Sequence, residues 1–346
     1  MQLSKPNRLK KGDTVAIISP SFPAINLFKK RMKRAEDFLA SNFGLNVIYA
    51  PNSELNTGFI AGSAKQRADD INWAFSNNSI QCIMAAIGGL NSNSILPHID
   101  FDLIKKNPKV FVGYSDVTAL HLPFVLLGNL VTFYGPALFS EWGEYPSPFS
   151  KTIESFQRNT FSSQPYGELE EVGQWTDEFL EWGMEADNRS RILNPEIPWK
   201  LLQSGDGEGI LFGGNVDTIN VLCGTKYFRF PDEDFIFFFE VTHLKPSAID
   251  RALEQLIQNN LCKNLKGILF SKYHAYDNSL GGIVERTTVK DFDLIELIIK
   301  EKFSHLNIPI ITRMDFGHTD PMLTIPIGIK ARIKNGKIAI LESSVV

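Results

Sequence analysis

In the first part of the chain, short apolar runs alternate with longer stretches whose apolar side chains recur every three or four positions. The runs "TVAIISP" (14–20), "NVIYAP" (46–51), "IQCIMAAIGG" (80–89) and "KVFVGYS" (109–115) read as buried strands. Between them, "INLFKKRMKRAEDFLASN" (25–42) reads as a helix, because Leu27, Met32, Ala35, Phe38 and Leu39 fall at helical spacing. "SAKQRADDINWAFSN" (63–77) predicts a second helix with Ser63 as its N-cap. This alternation predicts a Rossmann-like α/β domain with a mostly parallel sheet. From Phe139 to Trp199 the composition shifts to Ser, Pro, Glu, Gly and Trp and the periodicity weakens, which suggests a connecting region that carries substrate contacts. Strands then return in "GEGILFGGN", "FIFFFEV", "KGILFSKY", "IPIITRM" and "KARIKNGKIAIL", with "SAIDRALEQLIQNN" and "VKDFDLIELIIKEKF" as helices and Asn335-Gly336 as a hairpin turn. A chain of 346 residues favours two cores over one. We therefore expect an N-terminal α/β domain over 1–165, a connecting segment over 166–205, and a C-terminal, mostly β (α+β) domain over 206–346.

Composition narrows the function. With 43% hydrophobic and 21% charged residues the chain has an ordinary globular balance, and a net charge of -4 supplies no basic field for nucleic acid. The first apolar run, Thr14–Ile18, is too short for a secretion signal or a membrane span, so a cytoplasmic protein without a membrane partner is expected. Cys82, Cys223 and Cys262 are odd in number and lie in apolar surroundings; they read as reduced core thiols, neither a disulfide set nor a metal site. Neither a dinucleotide fingerprint nor a phosphate loop is present, which sets a nucleotide-dependent oxidoreductase aside.

The chemistry-bearing features are few. Ser115 follows an apolar strand and precedes "VTALHLPFVLL", and Gly113 permits a sharp turn there. That is the pattern of a nucleophile elbow, although Val117 stands where the usual signature has a second glycine. The competing reading is that Ser115 or Asp116 caps the helix. A serine nucleophile needs a base, and six histidines are available. His121 reads as a packing residue on the helix, and His305 as surface. His318, at a strand end broken by Gly317, is better placed to reach across a cleft than His274 in "SKYHAYDNS". Glu240 ends a run of five apolar residues, where a carboxylate needs a hydrogen-bonding partner or must meet solvent. Gly88 and Gly89 follow a buried strand and allow close approach to a ligand. Amide groups near Leu90, with that of Asp116, suit an oxyanion hole better than a phosphate site. Lys226, Arg251, Lys272 and Arg313 are the cations available for a substrate carboxylate or phosphate.

Taken together these stretches resemble the serine carboxypeptidase family of LD-carboxypeptidases and microcin-C immunity proteins. The resemblance runs nearly end to end and rests on "LKKGDTVAIISPS", "AGSAKQRADDIN", "AAIGGLNSNSILPHIDFDLI", "NPKVFVGYSDVTALHL", "TFYGPAL", "LFGGNVDTINVLCGT", "FFFEVTHLKPSAIDRALEQL" and "DFGHTDPMLTIPIG". It implies Ser115 as nucleophile, Glu240 as triad acid and His318 as base, in a homodimer that needs no metal or cofactor. "GGLNSNSILPHIDFDLI", "TFYGPAL" and "QWTDEFLEW" are more similar to the microcin-immunity branch. That branch implies cleavage of the amide between an aminoacyl group and a nucleotide phosphoramidate, with Trp182 as an aromatic platform for adenine. Core packing is the alternative role for Trp182. The residues after Gly-His-Thr and after Glu240 depart from many relatives and bear on substrate preference. A murein tetrapeptide LD-carboxypeptidase and a non-catalytic peptide-nucleotide binding module are the other functions this sequence could serve.

Overall fold

The computed structural model describes residues 3–183, 185–242, 244–273 and 289–346. Strands β1 (Thr14–Ile18), β2 (Asn46–Tyr49), β3 (Cys82–Ala85), β4 (Val110–Gly113) and β5 (Thr132–Tyr134) lie parallel in the order β5-β4-β3-β1-β2. Every residue of β3 and β4 is buried, so both faces of the sheet are covered. The connecting helices are α1 (Lys29–Phe43), α2 (Ala64–Ser76), α3 (Phe101–Lys106) and α4 (Thr118–Leu126). Ser63 closes a capping box on α2: its Oγ accepts from the Gln66 N–H at 3.2 Å, and Gln66 Oε1 accepts from the Ser63 N–H at 2.9 Å. α1 starts four residues later than its apolar pattern. Leu27 is exposed in the preceding turn, and the buried stripe runs through Arg31, Ala35, Leu39 and Phe43.

The stretch read as a connection holds a helix, α5 (Ser150–Thr160), whose buried face is mostly polar, with Phe156 its one large apolar side chain. Thr152 Oγ1 accepts from the Met322 N–H at 2.8 Å, Ser155 Oγ accepts from the Thr324 N–H at 2.9 Å, and Asn159 Nδ2 donates to the Thr324 carbonyl at 3.0 Å. These bonds satisfy a buried loop backbone, which otherwise costs about 1–3 kcal/mol for each lost partner.

The second sheet takes β6 (Gly167–Glu168), β7 (Lys200–Gln203), β8 (Gly207–Asn215), β9 (Phe235–Glu240), β10 (Leu265–Ser271) and β11 (Ile310–Met314). The chain next returns to the first sheet as β12 (Ile325–Ile327), antiparallel to β5, and then adds β13 (Lys330–Lys334) and β14 (Lys337–Ile340) to the second. The order is β6-β14-β13-β8-β9-β10-β11-β7. Its centre, β8 to β11, is parallel, with α6 (Val216–Leu222), α7 (Pro246–Gln258) and α8 (Val289–Phe303) in the crossovers, while the flanking strands are antiparallel. The molecule is thus an α/β protein with a parallel N-terminal sheet and a sheet-rich C-terminal portion. Asn335 and Gly336 have φ of +51° and +74°, as a two-residue hairpin turn requires. Where the two sheets meet, a Cβ on Gly214 would lie 2.6 Å from Thr118 Oγ1, so the absence of a side chain lets β8 approach α4.

Candidate active site

Ser115 leaves the C-terminal end of β4 with a φ of +60°, a left-handed conformation that L-residues adopt at a cost of about 1–2 kcal/mol. The space for this turn comes from Gly113: a Cβ there would meet Ala85 Cβ at 3.0 Å and both Val117 methyls at 3.1 Å. Val117 therefore fits an elbow because it fills the space beside Gly113. Gly88 packs on the other side of the serine, its missing Cβ 3.1 Å from Ser115 Cβ and 3.2 Å from the Asp116 nitrogen. The Asp116 carboxylate fixes this glycine loop by accepting from the Asn91 and Ser92 N–H groups, each at 2.9 Å, and from Ser92 Oγ at 2.7 Å.

His318 comes from the loop after β11 and stands with Nε2 3.1 Å from Ser115 Oγ and Nδ1 2.9 Å from Glu240 Oε2. Glu240, the last residue of β9, is fully buried, and its other oxygen accepts from Tyr134 O–H at 2.7 Å and Asn215 Nδ2 at 2.8 Å. Burial pushes the Glu240 carboxyl up, but the charge of His318 and the hydrogen bonds from His318, Asn215 and Tyr134 outweigh it and hold the group below its ordinary value. Burial likewise opposes the His318 cation. The charge and hydrogen bond of Glu240, aided by Glu141 and Asp320, nonetheless hold His318 above the ordinary histidine value. Burial and the Glu240 charge keep Tyr134 protonated, so it can donate. With Glu240 ionised, neutral His318 carries its proton on Nδ1 and offers the Nε2 lone pair to the serine hydroxyl.

These groups open into a cavity of about 550 Å³ lined by Gly88, Gly89, Leu90, Ser115, Trp182 and His318, among others. The Leu90 N–H, expected to face an oxyanion, donates instead to Ser21 Oγ at 3.0 Å, and the Leu90 side chain is exposed at the cavity wall. The Gly89 N–H makes no hydrogen bond to another described residue. Trp182 stacks on Phe139 with ring centroids 6.4 Å apart, meets Phe28 edge-on, and lies 4.7 Å from the Arg31 guanidinium. Trp175, the first tryptophan of "QWTDEFLEW", is a core residue whose Nε1 donates to the Pro195 carbonyl.

None of the four cations named from sequence lines the cavity. Lys272 is buried against Asp315, Arg313 pairs with Glu296 and Asp293, and Lys226 and Arg251 are exposed elsewhere. Among the described residues the lining cations are Arg31 and Arg191, which sequence reasoning missed. Both are committed: Arg31 pairs with Glu144 and Asp187, and Arg191 with Glu144 at 3.0 Å and Asp320 at 2.7 Å. A signal for Arg31 was available, since it sits four residues before Ala35 on the apolar stripe of α1. Tyr134 and Asn215 were also missed, although both end strands. His121 is buried as expected, its Nε2 2.9 Å from the Gly113 carbonyl, with burial lowering its pKa to about 4. His305 is exposed, and His274 lies outside the described residues.

A parallel α/β layer facing a sheet-rich one, with a serine elbow between them, defines a class of hydrolase fold. Within it, the LD-carboxypeptidase N-terminal domain model matches residues 15–135 and the LD-carboxypeptidase C-terminal domain model matches residues 208–333; the chain belongs to this peptidase family. It is 33% identical to the microcin C7 self-immunity protein MccF of Escherichia coli, over 96% of this chain and 94% of that one. A Bacillus subtilis protein named "probable murein peptide carboxypeptidase" is 29% identical over 99% of this chain and 95% of its own. Solved structures of MccF with glutamyl sulfamoyl guanosine and with aspartyl sulfamoyl adenosine each match with a TM-score of 0.87 at 30% identity, covering 99% of this chain and 99% and 100% of theirs.

Proposed function

We propose that this protein is a serine amidase of the microcin-immunity type, which hydrolyses the amide joining an aminoacyl or peptidyl group to a nucleotide phosphoramidate or a similar conjugate. The observation that carries this reading is the Ser115–His318–Glu240 chain of hydrogen bonds opening into the cavity that also holds Trp182. His318 takes the Ser115 proton while Glu240 holds the imidazole, and Oγ attacks the amide carbonyl carbon. The resulting oxyanion sits against the N–H groups of Gly89 and Asp116. His318 then gives its proton to the leaving nitrogen, the C–N bond breaks, and water activated by the same histidine hydrolyses the acyl-serine. Trp182 supports the nucleobase. The aminoacyl sulfamoyl nucleosides bound in the MccF structures support this choice of substrate class. The working unit is a cytoplasmic homodimer.

The test is mass spectrometry of purified protein incubated with an aminoacyl sulfamoyl adenosine, wild type beside Ser115→Ala. Release of the free amino acid by wild type alone supports the reading. Intact conjugate with wild type rejects it, and a tetrapeptide ending in D-alanine then tests the murein alternative.

A further inference from the structure

Two stretches of the sequence pattern stand outside the triad, "TVAIISPS" with Ser21 and "SAKQRADDIN" with Arg67, and the fold brings both to the glycine loop beside Ser115. Strands β1 and β3 are parallel neighbours, paired from Val15–Cys82 to Ile18–Ala85, so the loops after them emerge side by side. Ser21 is buried on the first loop and faces the second: its Oγ accepts from the Leu90 N–H at 3.0 Å and from the Asn91 N–H at 2.9 Å. The next residue, Phe22, donates its N–H to the Gly88 carbonyl at 3.2 Å. That carbonyl shares one trans peptide unit with the Gly89 N–H, and the two point in opposite directions. The bond from Phe22 therefore turns the Gly89 N–H away from the first loop and leaves it, unpartnered among the described residues, at the cavity that Gly89 lines. Only a glycine permits this approach, since φ at Gly89 is +148° and a Cβ there would overlap Ser21 Oγ. Arg67, buried on α2, ties the two loops together. Its Nη1 donates to the Pro20 carbonyl of the first and, at 3.2 Å, to the Asn91 carbonyl of the second, while Nη2 donates to Ser94 Oγ at 2.9 Å. A buried guanidinium needs such acceptors, and each of these lies after β1 or β3 rather than on its own helix.

We infer that Ser21 and Arg67 are positioning residues for the oxyanion hole. Ser21 grips the loop from Gly88 to Asn91, and Arg67 grips the turn that carries Ser21, so that the Gly89 N–H is aimed at the oxygen that gains charge when Ser115 attacks. The inference rests on the function proposed above only in taking Ser115 as the nucleophile. Neither residue lines the cavity, so each acts through the backbone it holds. Asp116 grips the same loop from the other side, at the Asn91 and Ser92 N–H groups, but the Leu90 N–H is held by Ser21 alone. Without the Ser21 oxygen the Gly89–Leu90 peptide loses its anchor, and the Gly88–Gly89 unit next to it loses its fixed direction. An oxyanion donor acts on the transition state, where the charge develops, and far less on bound substrate. Loss of aim therefore lowers kcat while leaving KM and the protonation of His318 in place. A purely structural role predicts instead a lower melting temperature with an unchanged rate per folded molecule.

The experiment compares the full chain as wild type, Ser21→Ala and Arg67→Lys, the last of which keeps the charge but gives up the fork that spans both loops. Two rates are read across the pH range: fluorophosphonate labelling of Ser115, followed by intact mass, and hydrolysis of alanyl sulfamoyl adenosine, resolved into kcat and KM. Melting curves report folding. Both variants should lose about tenfold to a hundredfold in labelling rate and in kcat, with KM within about twofold of wild type and the pH midpoint unmoved. A folded Ser21→Ala variant whose labelling and kcat stay within about twofold of wild type would overturn the inference. A loss confined to KM, or a displaced pH midpoint, would overturn it as well, by placing the damage at substrate binding or at His318. If Ser21→Ala does not fold, Arg67→Lys is held to the same criteria, and failure of both to fold would assign these contacts to the fold alone and overturn the inference. A wild type that labels but leaves the conjugate intact would reject the proposed substrate, while the labelling rates of the variants would still decide for or against Ser21 and Arg67. A wild type that neither labels nor hydrolyses would overturn both readings.

Discussion

Glu240→Gln is nearly isosteric and reverses one hydrogen bond. The Tyr134 hydroxyl and Asn215 Nδ2 both donate to Glu240 Oε1, at 2.7 and 2.8 Å, so the glutamine oxygen settles there. Its amide nitrogen then occupies the Oε2 position, 2.9 Å from His318 Nδ1. An amide NH₂ only donates, so Nδ1 must accept and the neutral imidazole carries its proton on Nε2, aimed at Ser115 Oγ 3.1 Å away. The base has no lone pair left for the serine. A triad whose histidine is held in the wrong tautomer loses on the order of 10⁴ in kcat, about 5 kcal/mol of barrier. The pH profile moves as well. In the wild type, kcat/KM rises as His318 loses its proton, and Glu240 holds that pKa above the ordinary histidine value of 6.5. Without the carboxylate charge, burial acts against the cation unopposed by its nearest partner, so the residual activity of the variant rises at lower pH. Single-turnover release of the amino acid across the pH range reads both effects, with a melting curve to confirm that the variant is folded. A folded Glu240→Gln variant within about tenfold of the wild-type rate would refute the assignment of Glu240 as the group that orients the base.

Three further outcomes follow from the same geometry. Gly317 has a φ of +88°, and a Cβ there would lie 2.8 Å from Glu240 Cγ; Gly317→Ala should lower the melting temperature and cost on the order of 10² in kcat by displacing His318, and an unchanged kcat would contradict this. Trp182→Ala should raise KM for an adenosine conjugate by about tenfold or more, with Trp182→Phe recovering most of it; an unchanged KM in the alanine variant would remove the platform role. Burial, and then the negative charge of Asp320, raise Glu141 from 4.5 to about 7, so the folded protein favours the protonated acid. The stability this group contributes is fully present below 4.5 and is lost as pH rises through about 7. Glu141→Gln should therefore gain up to about 3 kcal/mol over wild type at alkaline pH relative to acid pH, read by denaturant melts, and a pH-independent difference would contradict the assignment.

Much of the first sheet was legible because its signals are local. Four of its strands announce themselves as apolar runs, three of them buried, and Ser63 carries its capping chemistry within a few residues, as Asn335-Gly336 does its turn chemistry in the second sheet. α5 was not legible, since Thr152, Ser155 and Asn159 line its buried face and bond a loop far along the chain. β12 was hidden for another reason: it has three residues, one of them Pro326, which a sheet tolerates at its edge. At the site, Ser115, Glu240 and His318 each stand out where an apolar run ends in a reactive side chain. Tyr134 and Asn215 acquire meaning only when two sheets bring them to one carboxylate, and Arg31 only when its helix face is known to be buried.

The central claim is that Ser115 is an activated nucleophile. Its most direct test is intact-mass analysis after exposure to a fluorophosphonate probe, with the labelled peptide mapped. The account predicts one adduct on wild type, carried by Ser115, and none on Ser115→Ala or His318→Ala. An unlabelled wild type, or equal labelling of the Ser115→Ala protein, would contradict it.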